Sequence, residues 1–279
     1  MDITTITSFR AARTRADLAL APGEVVIAGG TWLMSEPQPD TTGFVDLTTM
    51  GWAEIEVDEA GLRIGATCTI ARLVAWAEGR APDLPAVPQD WRAVEMIPDA
   101  AHALLASFKI WNTATVGGNL CRTFAAGAMI SLAVALDGVA VVWTPDGGER
   151  RLPVAALPTG NGTNVLAADE VLRAIEIPAN ALRAHAVLRK IALAELGRSG
   201  AVVTGRVELD GATTFAITAA TAVPTVFRFE HVPDAASLAA SVSGAGGYYT
   251  DALGAADWRR AVSVELAERI RIALKGDAA

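Results

Sequence analysis

The chain has 279 residues, of which 52% are hydrophobic and 19% charged, so it is long enough for two domains and too apolar to be disordered. A net charge of −8, without any run of Lys or Arg, argues against a nucleic-acid-binding protein. The longest apolar run, Met129–Leu136, is too short to span a bilayer, and the chain begins Met1-Asp2 without a leader pattern. These features predict a cytoplasmic protein with no membrane span.

Only two cysteines occur, Cys68 and Cys121, and they are far apart in the sequence. Neither belongs to a C-x-x-C pattern, so we expect no zinc site and no cysteine-ligated iron–sulfur cluster in this chain. Any metal must then be bound by another chain. Because cytoplasmic proteins keep their thiols reduced, we expect two buried free thiols rather than a disulfide.

Apolar β-branched runs and turn sequences predict the strands and hairpins. In chain order these are a strand at Val25–Ala28, a strand at Phe44–Leu47, a hairpin turning at Asp58–Gly61, a hairpin turning at Pro145–Gly148, a strand at Val171–Ile177 that opens the C-terminal unit, and a hairpin turning at Asp210–Gly211. The segment Gly160–Asn164 is predicted to be a loop.

Four stretches are predicted to be helical: Ile70–Glu78, Asp99–Ile110, Ala125–Leu136 and Asp251–Leu274. In the last stretch an apolar residue recurs at every fourth position, at Trp258, Val262, Leu266 and Ile270. Its other faces carry the charged residues Arg259, Arg260 and Glu268. This periodicity is typical of an amphipathic helix, whose apolar face we expect to pack on a sheet.

The first of two glycine pairs follows a predicted strand, in the sequence Ile27-Ala28-Gly29-Gly30-Thr31-Trp32-Leu33-Met34. Successive backbone N–H groups without side chains form a concavity that binds phosphate oxygens, and the Thr31 hydroxyl adds a donor. A glycine pair after a strand is more often a plain structural turn. This segment alone therefore assigns no function.

The second glycine pair lies between two predicted helices, in the sequence Thr115-Val116-Gly117-Gly118-Asn119-Leu120. Its glycines permit a ligand to approach the backbone closely, while Thr115 and Asn119 offer a hydroxyl and an amide. Two such segments fit a dinucleotide whose pyrophosphate is held by neutral donors, because the sequence shows no arginine cluster.

The spacing from A-G-G-T at residues 28–31 to T-x-G-G-N at residues 115–119 resembles the FAD-binding (medium) subunit of the molybdenum hydroxylase family, of the xanthine dehydrogenase and carbon monoxide dehydrogenase type. Further segments extend the resemblance over nearly the whole chain. Glu170–Pro178 is similar to the family's strand before its C-terminal domain, Leu188–Lys190 to the following strand, and Ala256–Arg260 to the final helix.

The resemblance implies an α+β fold with two domains. Residues 1–168 would form a FAD-binding domain of two α/β subdomains, at about 1–53 and 54–168, and residues 169–279 a small antiparallel sheet plus helices. The isoalloxazine would sit between the two domains. The residues implied to bind FAD are Ile27, Ala28, Gly29, Gly30, Thr31, Trp32, Leu33, Met34, Thr115, Gly118, Asn119, Leu172 and Lys190. No catalytic side chain and no metal ligand is implied in this chain.

Three positions depart from the family pattern. Trp32 stands where many members have Asp or Asn, Ala128 stands where an acidic residue is common, and Leu188 replaces an aromatic residue. The expected consequences are a lost polar contact to the cofactor and a lost ring beside the flavin. Both bear on FAD affinity and on the redox potential of the flavin.

The function that the resemblance implies is electron transfer. A large partner subunit with a molybdenum cofactor would hydroxylate the substrate, and a small partner subunit would relay electrons through iron–sulfur clusters. FAD in this chain would then pass the electrons to an external acceptor, within an expected dimer of heterotrimers. The cofactor carries the redox chemistry, and the protein places and tunes it.

Two other functions are compatible with the sequence. A free-standing flavin oxidase would need a base over the flavin, and no His or Tyr lies near either glycine pair. A flavin-free structural subunit is suggested by Trp32, Ala128 and Leu188, although the retained glycine pairs argue against it.

Motifs of other enzyme classes do not occur. His102, His185 and His231 are scattered without metal-binding spacing, and we interpret them as structural or surface residues. The sequence has no G-x-S-x-G elbow, no phosphate-binding loop of the G-x-x-x-x-G-K-S/T type, and no Rossmann fingerprint around Gly160.

Overall fold

A computed structural model describes residues 4–104, 106–194 and 197–276 as a mixed helix and sheet structure. The strands are β1 Ser8–Ala11, β2 Glu24–Ile27, β3 Gly43–Asp46, β4 Ile55–Val57, β5 Gly61–Gly65, β6 Val139–Trp143, β7 Glu149–Pro153, β8 Pro158–Gly160, β9 Thr163–Asn164, β10 Val171–Pro178, β11 His185–Ala192, β12 Ser199–Val207, β13 Thr213–Thr218 and β14 Thr225–Phe229. The helices are α1 Ile70–Ala77, α2 Met96–His102, α3 Phe108–Thr113, α4 Val116–Arg122, α5 Ala128–Ala135, α6 Ala179–Arg183, α7 Ala235–Ser243 and α8 Ala256–Gly276. This confirms the predicted α+β class.

The N-terminal subdomain is built on a parallel three-stranded sheet in the order β1-β3-β2. Its central strand is the most buried, with Phe44 and Val45 at 2% and 0% exposure, because both neighbours cover it. Arg10 of β1 reaches across to Glu24 of β2, with Nε–Oε1 and Nη2–Oε2 distances of 3.0 and 2.8 Å. The two strands predicted in this region are confirmed to within one residue.

The second sheet has five antiparallel strands in the order β4-β5-β10-β6-β7. Its hairpins confirm the turns predicted at Asp58–Gly61 and Pro145–Gly148. The predicted strand at Val171–Ile177 is also present as β10, but it does not open the C-terminal unit. Ile175 pairs with Ile64 of β5 on one side and with Ala140 of β6 on the other, so β10 is the central strand. This pairing favours a domain boundary after Pro178.

The C-terminal sheet is an antiparallel meander in the order β11-β12-β13-β14, and it includes the hairpin predicted at Asp210–Gly211. Val202 of β12 joins the large core beneath α5, whereas Ala201 and Val203 join a separate core beneath α7 and α8. Helices therefore cover both faces. This explains why β12 is an almost continuous buried run rather than an alternation of buried and exposed residues.

Helix α5 packs against the C-terminal sheet as well as against α2 and α4. It is buried along its entire length between α2, α4 and the strands β12 and β13, so it is apolar on all sides. Ser131 of α5 lies 2.6 Å, oxygen to oxygen, from Thr218 of β13. The buried guanidinium of Arg206 donates to the carbonyl of Ala135 and to the carboxylate of Asp137, at the end of the same helix.

Several helices differ from the prediction in number or in their first residue. The helix predicted at Asp99–Ile110 is two helices, α2 and α3, and Leu105 within that stretch lies outside the described residues. Helices α4 and α7 were not predicted, because one contains a glycine pair and the other is rich in Ala and Ser. The helix predicted from Asp251 begins at Ala256.

Arg259 was predicted to lie on a charged face of α8, away from the apolar face, and this prediction was wrong. This residue is fully buried, whereas Trp258 is only partly buried, so the buried face is rotated toward the arginine. The Arg259 guanidinium donates to the carbonyl of Gly200 at 2.8 Å and to the carbonyls of Ala219 and Gly254. It also pairs with Asp251. An arginine can occupy this buried position because four of its five N–H donors meet fixed acceptors.

None of the helices in the described ranges combines the length and apolar character needed to cross a bilayer.

Candidate functional site

The two glycine pairs meet in the folded protein. A methyl carbon added to Gly29 would lie 1.9 Å from the carbonyl oxygen of Thr113 and 3.1 Å from the Cα atom of Ala114. The backbone at the end of β2 thus touches the backbone just before α4. Only glycine permits this approach, and it places the segment 28–33 beside Thr115.

The first segment leaves β2 in a tight turn. Gly30 has a φ of +64°, which favours glycine, and the Met34 amide donates to the Gly30 carbonyl at 2.8 Å. Residues 28–33 line a cleft, whereas Ile27 is 7% exposed and belongs to the underlying core. The Met34 side chain packs over Gly30, since its Cγ atom lies 3.2 Å from a methyl carbon placed there.

The second segment, which was predicted to lie between two helices, is itself helical and forms the start of α4. Thr115 caps α4, accepting a hydrogen bond from the Gly118 amide at 3.0 Å. Gly117 faces the protein, where its amide donates to the carbonyl of Ala66 at 2.9 Å. Gly118 faces the cleft and is exposed. The Asn119 Oδ1 atom accepts from the amide of Met129 at 3.0 Å and so fixes the start of α5.

The two glycines of α4 should therefore respond differently to substitution. In Gly117→Ala the new Cβ atom would lie 2.5 Å from the Ala66 Cβ and 2.7 Å from its carbonyl oxygen, so we expect a loss of about 1–3 kcal/mol in the free energy of unfolding. In the matched comparison Gly118→Ala it would meet only the Thr115 Oγ1, at 2.9 Å, so that one side-chain atom must shift, and the helix preference of alanine, up to about 1 kcal/mol, offsets this cost; we expect a smaller loss. Urea unfolding of the cofactor-free variants measures both, and equal losses would contradict this assignment.

The cleft between these segments has a volume of about 740 Å³. This lies within the range of roughly 300–1,000 Å³ that is usual for cofactor pockets. Its walls come from residues 28–33, from α4 and the segment that follows it, from residues 164–172 at the start of β10, and from Arg198 before β12. Segments that are far apart in the sequence thus contribute to it.

The predicted site residues divide into two groups. Those that line the cleft are Ala28, Gly29, Gly30, Thr31, Trp32, Leu33, Thr115, Gly118, Asn119 and Leu172. Ile27, Met34 and Lys190 do not belong to the described lining. The Lys190 side chain is held at the margin, where Nζ donates to the carbonyl of His102 at 3.1 Å.

The structure adds two arginines that the sequence did not single out, and this corrects the expectation of a cleft without them. The guanidinium carbon of Arg122 lies 3.5 Å from the ring centre of Trp32 and 4.7 Å from that of Phe124. The guanidinium of Arg198 lies 5.5 Å from the same Phe124 ring. One feature of the sequence pointed to Arg122. It follows Asn119 by about one helical turn, so a helix places both residues on the same side. The contact with Trp32 was not visible in the sequence.

The three departures from the family pattern have different structural outcomes. Trp32 lines the cleft and carries Arg122 on its ring. Ala128 and Leu188 are 1% and 6% exposed, and both belong to the large core. Only Trp32, therefore, changes the chemistry of the cleft surface itself.

The titratable groups of the cleft are few. Glu170 pairs with Arg150, with a 2.6 Å distance from Oε1 to Nε, and this pairing holds the pKa of Glu170 below its usual range. Burial lowers the pKa of Arg122. The described lining contains no histidine and no tyrosine, and the described residues contain no group of three or more His, Cys, Asp or Glu that could hold a metal ion.

Both cysteines are free thiols, and Cys121 belongs to the cleft wall. Burial raises the pKa of Cys68 and of Cys121 to about 12. At pH 8 the thiolate fraction is then on the order of 10⁻⁴, and the thiolate is the reactive form. We expect slow reaction with a disulfide reagent in the native protein and rapid reaction of two thiols after unfolding without reductant. Rapid labelling of both thiols in the native protein would contradict their raised pKa values.

Comparison with solved structures supports the fold. Quinoline 2-oxidoreductase from Pseudomonas putida 86 matches with a TM-score of 0.78 and 22% sequence identity, over 96% of this chain and 97% of that chain. Carbon monoxide dehydrogenase from Hydrogenophaga pseudoflava matches with a TM-score of 0.76 and 18% identity, over 95% of each chain. The enzyme from Oligotropha carboxidovorans matches with a TM-score of 0.77 and 18% identity, over 94% of this chain and 95% of that chain.

Sequence comparison identifies the family. A comparison with curated proteins returns no significant match. Residues 7–180 match the family model described as the FAD binding domain in molybdopterin dehydrogenase. This match covers more than half of the chain and includes both glycine pairs and β10. The chain therefore belongs to the family of FAD-binding domains of molybdopterin dehydrogenases.

Proposed function

We propose that this chain binds FAD in the cleft and acts as the electron-transfer subunit of a heteromeric molybdenum hydroxylase. It would receive electrons from the iron–sulfur clusters of a small partner subunit and deliver them to an external acceptor. The observation that carries the proposal is the meeting of two bare backbone segments, at Gly29 and Gly118, along one cleft of cofactor size.

The residues of the cleft fit FAD. Backbone at residues 28–31 lines the cleft and would offer N–H donors to a pyrophosphate, and the Thr31 hydroxyl would add another. Gly118 leaves room for the cofactor at the start of α4, and Asn119 is fixed by its bond to Met129. FAD itself supplies the redox chemistry when bound, and the side chains bind and orient it. The site residues predicted from the sequence are assigned to this role as part of the proposal.

The cleft chemistry favours electron transfer over oxidation of a substrate by this chain alone. A flavin oxidase needs a positioned base within hydrogen-bond reach of its substrate. The one carboxylate in the described lining, Glu170, is paired with Arg150 and has a lowered pKa, which makes it a weak base.

The proposed partners are a large subunit with the molybdenum cofactor and a small subunit with iron–sulfur clusters, assembled as a dimer of heterotrimers. The similar Hydrogenophaga pseudoflava protein is described as lacking the Mo-pyranopterin moiety of the molybdenum cofactor, so that enzyme belongs to a molybdenum system. We place the complex in the cytoplasm, where the free thiols of Cys68 and Cys121 would stay reduced.

The decisive experiment is an absorption spectrum of the purified chain, before and after acid release of the chromophore, with identification of the released species. One FAD per chain is expected, either as purified or after reconstitution. Copurification from the native source with molybdenum and iron, measured by elemental analysis, tests the partners.

Each alternative predicts a different result. A colourless protein that cannot be reconstituted, yet assembles with its partners, would show a flavin-free structural subunit. Oxidation of a small alcohol or amine by the chain with FAD alone would show a free-standing oxidase.

A further inference from the structure

The guanidinium of Arg122 is held between two aromatic rings at the wall of the cleft. Its central carbon lies 3.5 Å from the centre of the Trp32 ring and 4.7 Å from that of the Phe124 ring. Such stacking contacts stabilise a cation and restrict its orientation without using its N–H groups. The two rings therefore satisfy none of the N–H donors of Arg122.

The described part of the chain provides no such partner. Nε of Arg122 is buried and has no hydrogen-bond acceptor, and no described carboxylate lies within ion-pair distance of the guanidinium. The two fully buried arginines of the described chain are both paired, Arg206 with Asp137 and Arg259 with Asp251. A partly buried cation without a counter-charge is costly, and a bound anion would remove that cost.

We propose that Arg122 binds the pyrophosphate of the cofactor, with Trp32 and Phe124 as the platform that orients its guanidinium. This inference rests on the proposed function and deepens it. The sequence analysis expected only neutral donors around the pyrophosphate. The inference adds one oriented cation, Arg122, to the neutral donors of the backbone.

The position of Arg122 favours the pyrophosphate over other parts of FAD. Trp32 directly follows Thr31, so the ring that carries the guanidinium belongs to the segment 28–33, and Arg122 and that segment line the same cleft. Guanidinium groups bind phosphate oxygens through two parallel hydrogen bonds, which suits two adjoining phosphates. The other cations are less well placed, because Arg198 is exposed and Lys190 is bonded to the His102 carbonyl.

The test compares ligands with and without the pyrophosphate. Cofactor-free wild-type protein and the Arg122→Gln variant are titrated calorimetrically with FAD, ADP and adenosine. We expect Arg122→Gln to weaken FAD and ADP on the order of 10- to 100-fold, the usual effect of losing a charge-assisted contact, and to leave adenosine unchanged. Arg122→Lys keeps the charge but loses the planar fork, so an intermediate loss is expected.

A matched control comes from Arg173, which has the same surroundings outside the cleft. Its guanidinium lies 4.6 Å from the ring centre of Trp52 and 5.7 Å from that of Trp143, and its Nη1 atom is buried without a partner. Arg173→Gln should leave all three affinities unchanged. Thermal unfolding of each variant separates loss of binding from loss of fold.

The outcomes distinguish this inference from the proposed function. If the wild type binds FAD and Arg122→Gln binds it equally well, the inference is wrong and the proposed function stands. Equal weakening of FAD and adenosine would also overturn it, since Arg122 would then act on the shape of the cleft. If the wild type binds no FAD, both fail. If ADP binds too weakly to titrate, the FAD affinity is measured at increasing salt concentration instead. We expect the affinity to fall less steeply with salt in Arg122→Gln than in the wild type.

Discussion

Replacing Gly29 by Ala should abolish tight FAD binding, with a loss of more than about tenfold in affinity and about 3 kcal/mol in the free energy of unfolding. The added Cβ atom would lie 1.9 Å from the Thr113 carbonyl oxygen, whereas ordinary contact begins at 3.4 Å. Because the obstacle is backbone, no side chain can rotate away. The segment 28–33 and the start of α4 must separate, and the cleft must widen.

Fluorescence titration with FAD and urea unfolding of the cofactor-free protein measure the two effects of Gly29→Ala. The matched control is Gly246→Ala, where an added methyl group meets no atom within 4 Å. That variant should bind and unfold like the wild type. If Gly29→Ala bound FAD normally, the contact between the two glycine segments would not determine the cleft.

The second large effect is expected in the C-terminal unit. Arg259→Ala should lower the free energy of unfolding by about 3–5 kcal/mol, because it leaves the buried carbonyls of Gly200 and Ala219 without donors and Asp251 without its partner. For a chain of this size the corresponding fall in Tm is roughly 10 °C. Helix α8 should also become more accessible to proteases, since Arg259 fixes its start against β12 and β13.

Thermal unfolding followed by circular dichroism, together with limited proteolysis, tests the Arg259 prediction. Arg269→Ala is the control on the same helix, where the side chain is 64% exposed and pairs only with Glu265. Exposed pairs of this kind contribute about 0.3–0.5 kcal/mol. Similar Tm values for the two variants would show that the buried network contributes little stability.

Local pattern predicted much of the secondary structure. A helix was predicted over Ile70–Glu78, and the structure has α1 at Ile70–Ala77, where the Thr69 side chain caps it by accepting from the Arg72 amide. Strand β10 was predicted from a run of apolar residues that ends at Pro178. Helix α4 was missed because glycines are poor helix formers, and here the Thr115 cap and packing on Ala66 outweigh that preference.

The family resemblance, and with it the fold class and the cofactor, could be identified from the sequence because both glycine segments are continuous in the chain. Their glycines mark positions where the backbone conformation requires glycine. Gly30 has a positive φ, and Gly29 closely approaches another stretch of backbone. The cleft positions of Thr115, Gly118 and Asn119 followed from the same motif.

Only the tertiary structure decided which distant residues meet. It placed β10 at the centre of the preceding sheet through pairing with β5 and β6, and it turned Arg259 inward because backbone carbonyls from other strands converge on it. It also stacked Arg122 on Trp32, two residues from different segments that share no sequence pattern. The periodicity of a sequence shows which side chains prefer water and which prefer the protein interior. It does not show which strands pair, which acceptors meet a buried arginine or which rings stack on a guanidinium, because those partners come from distant parts of the folded chain.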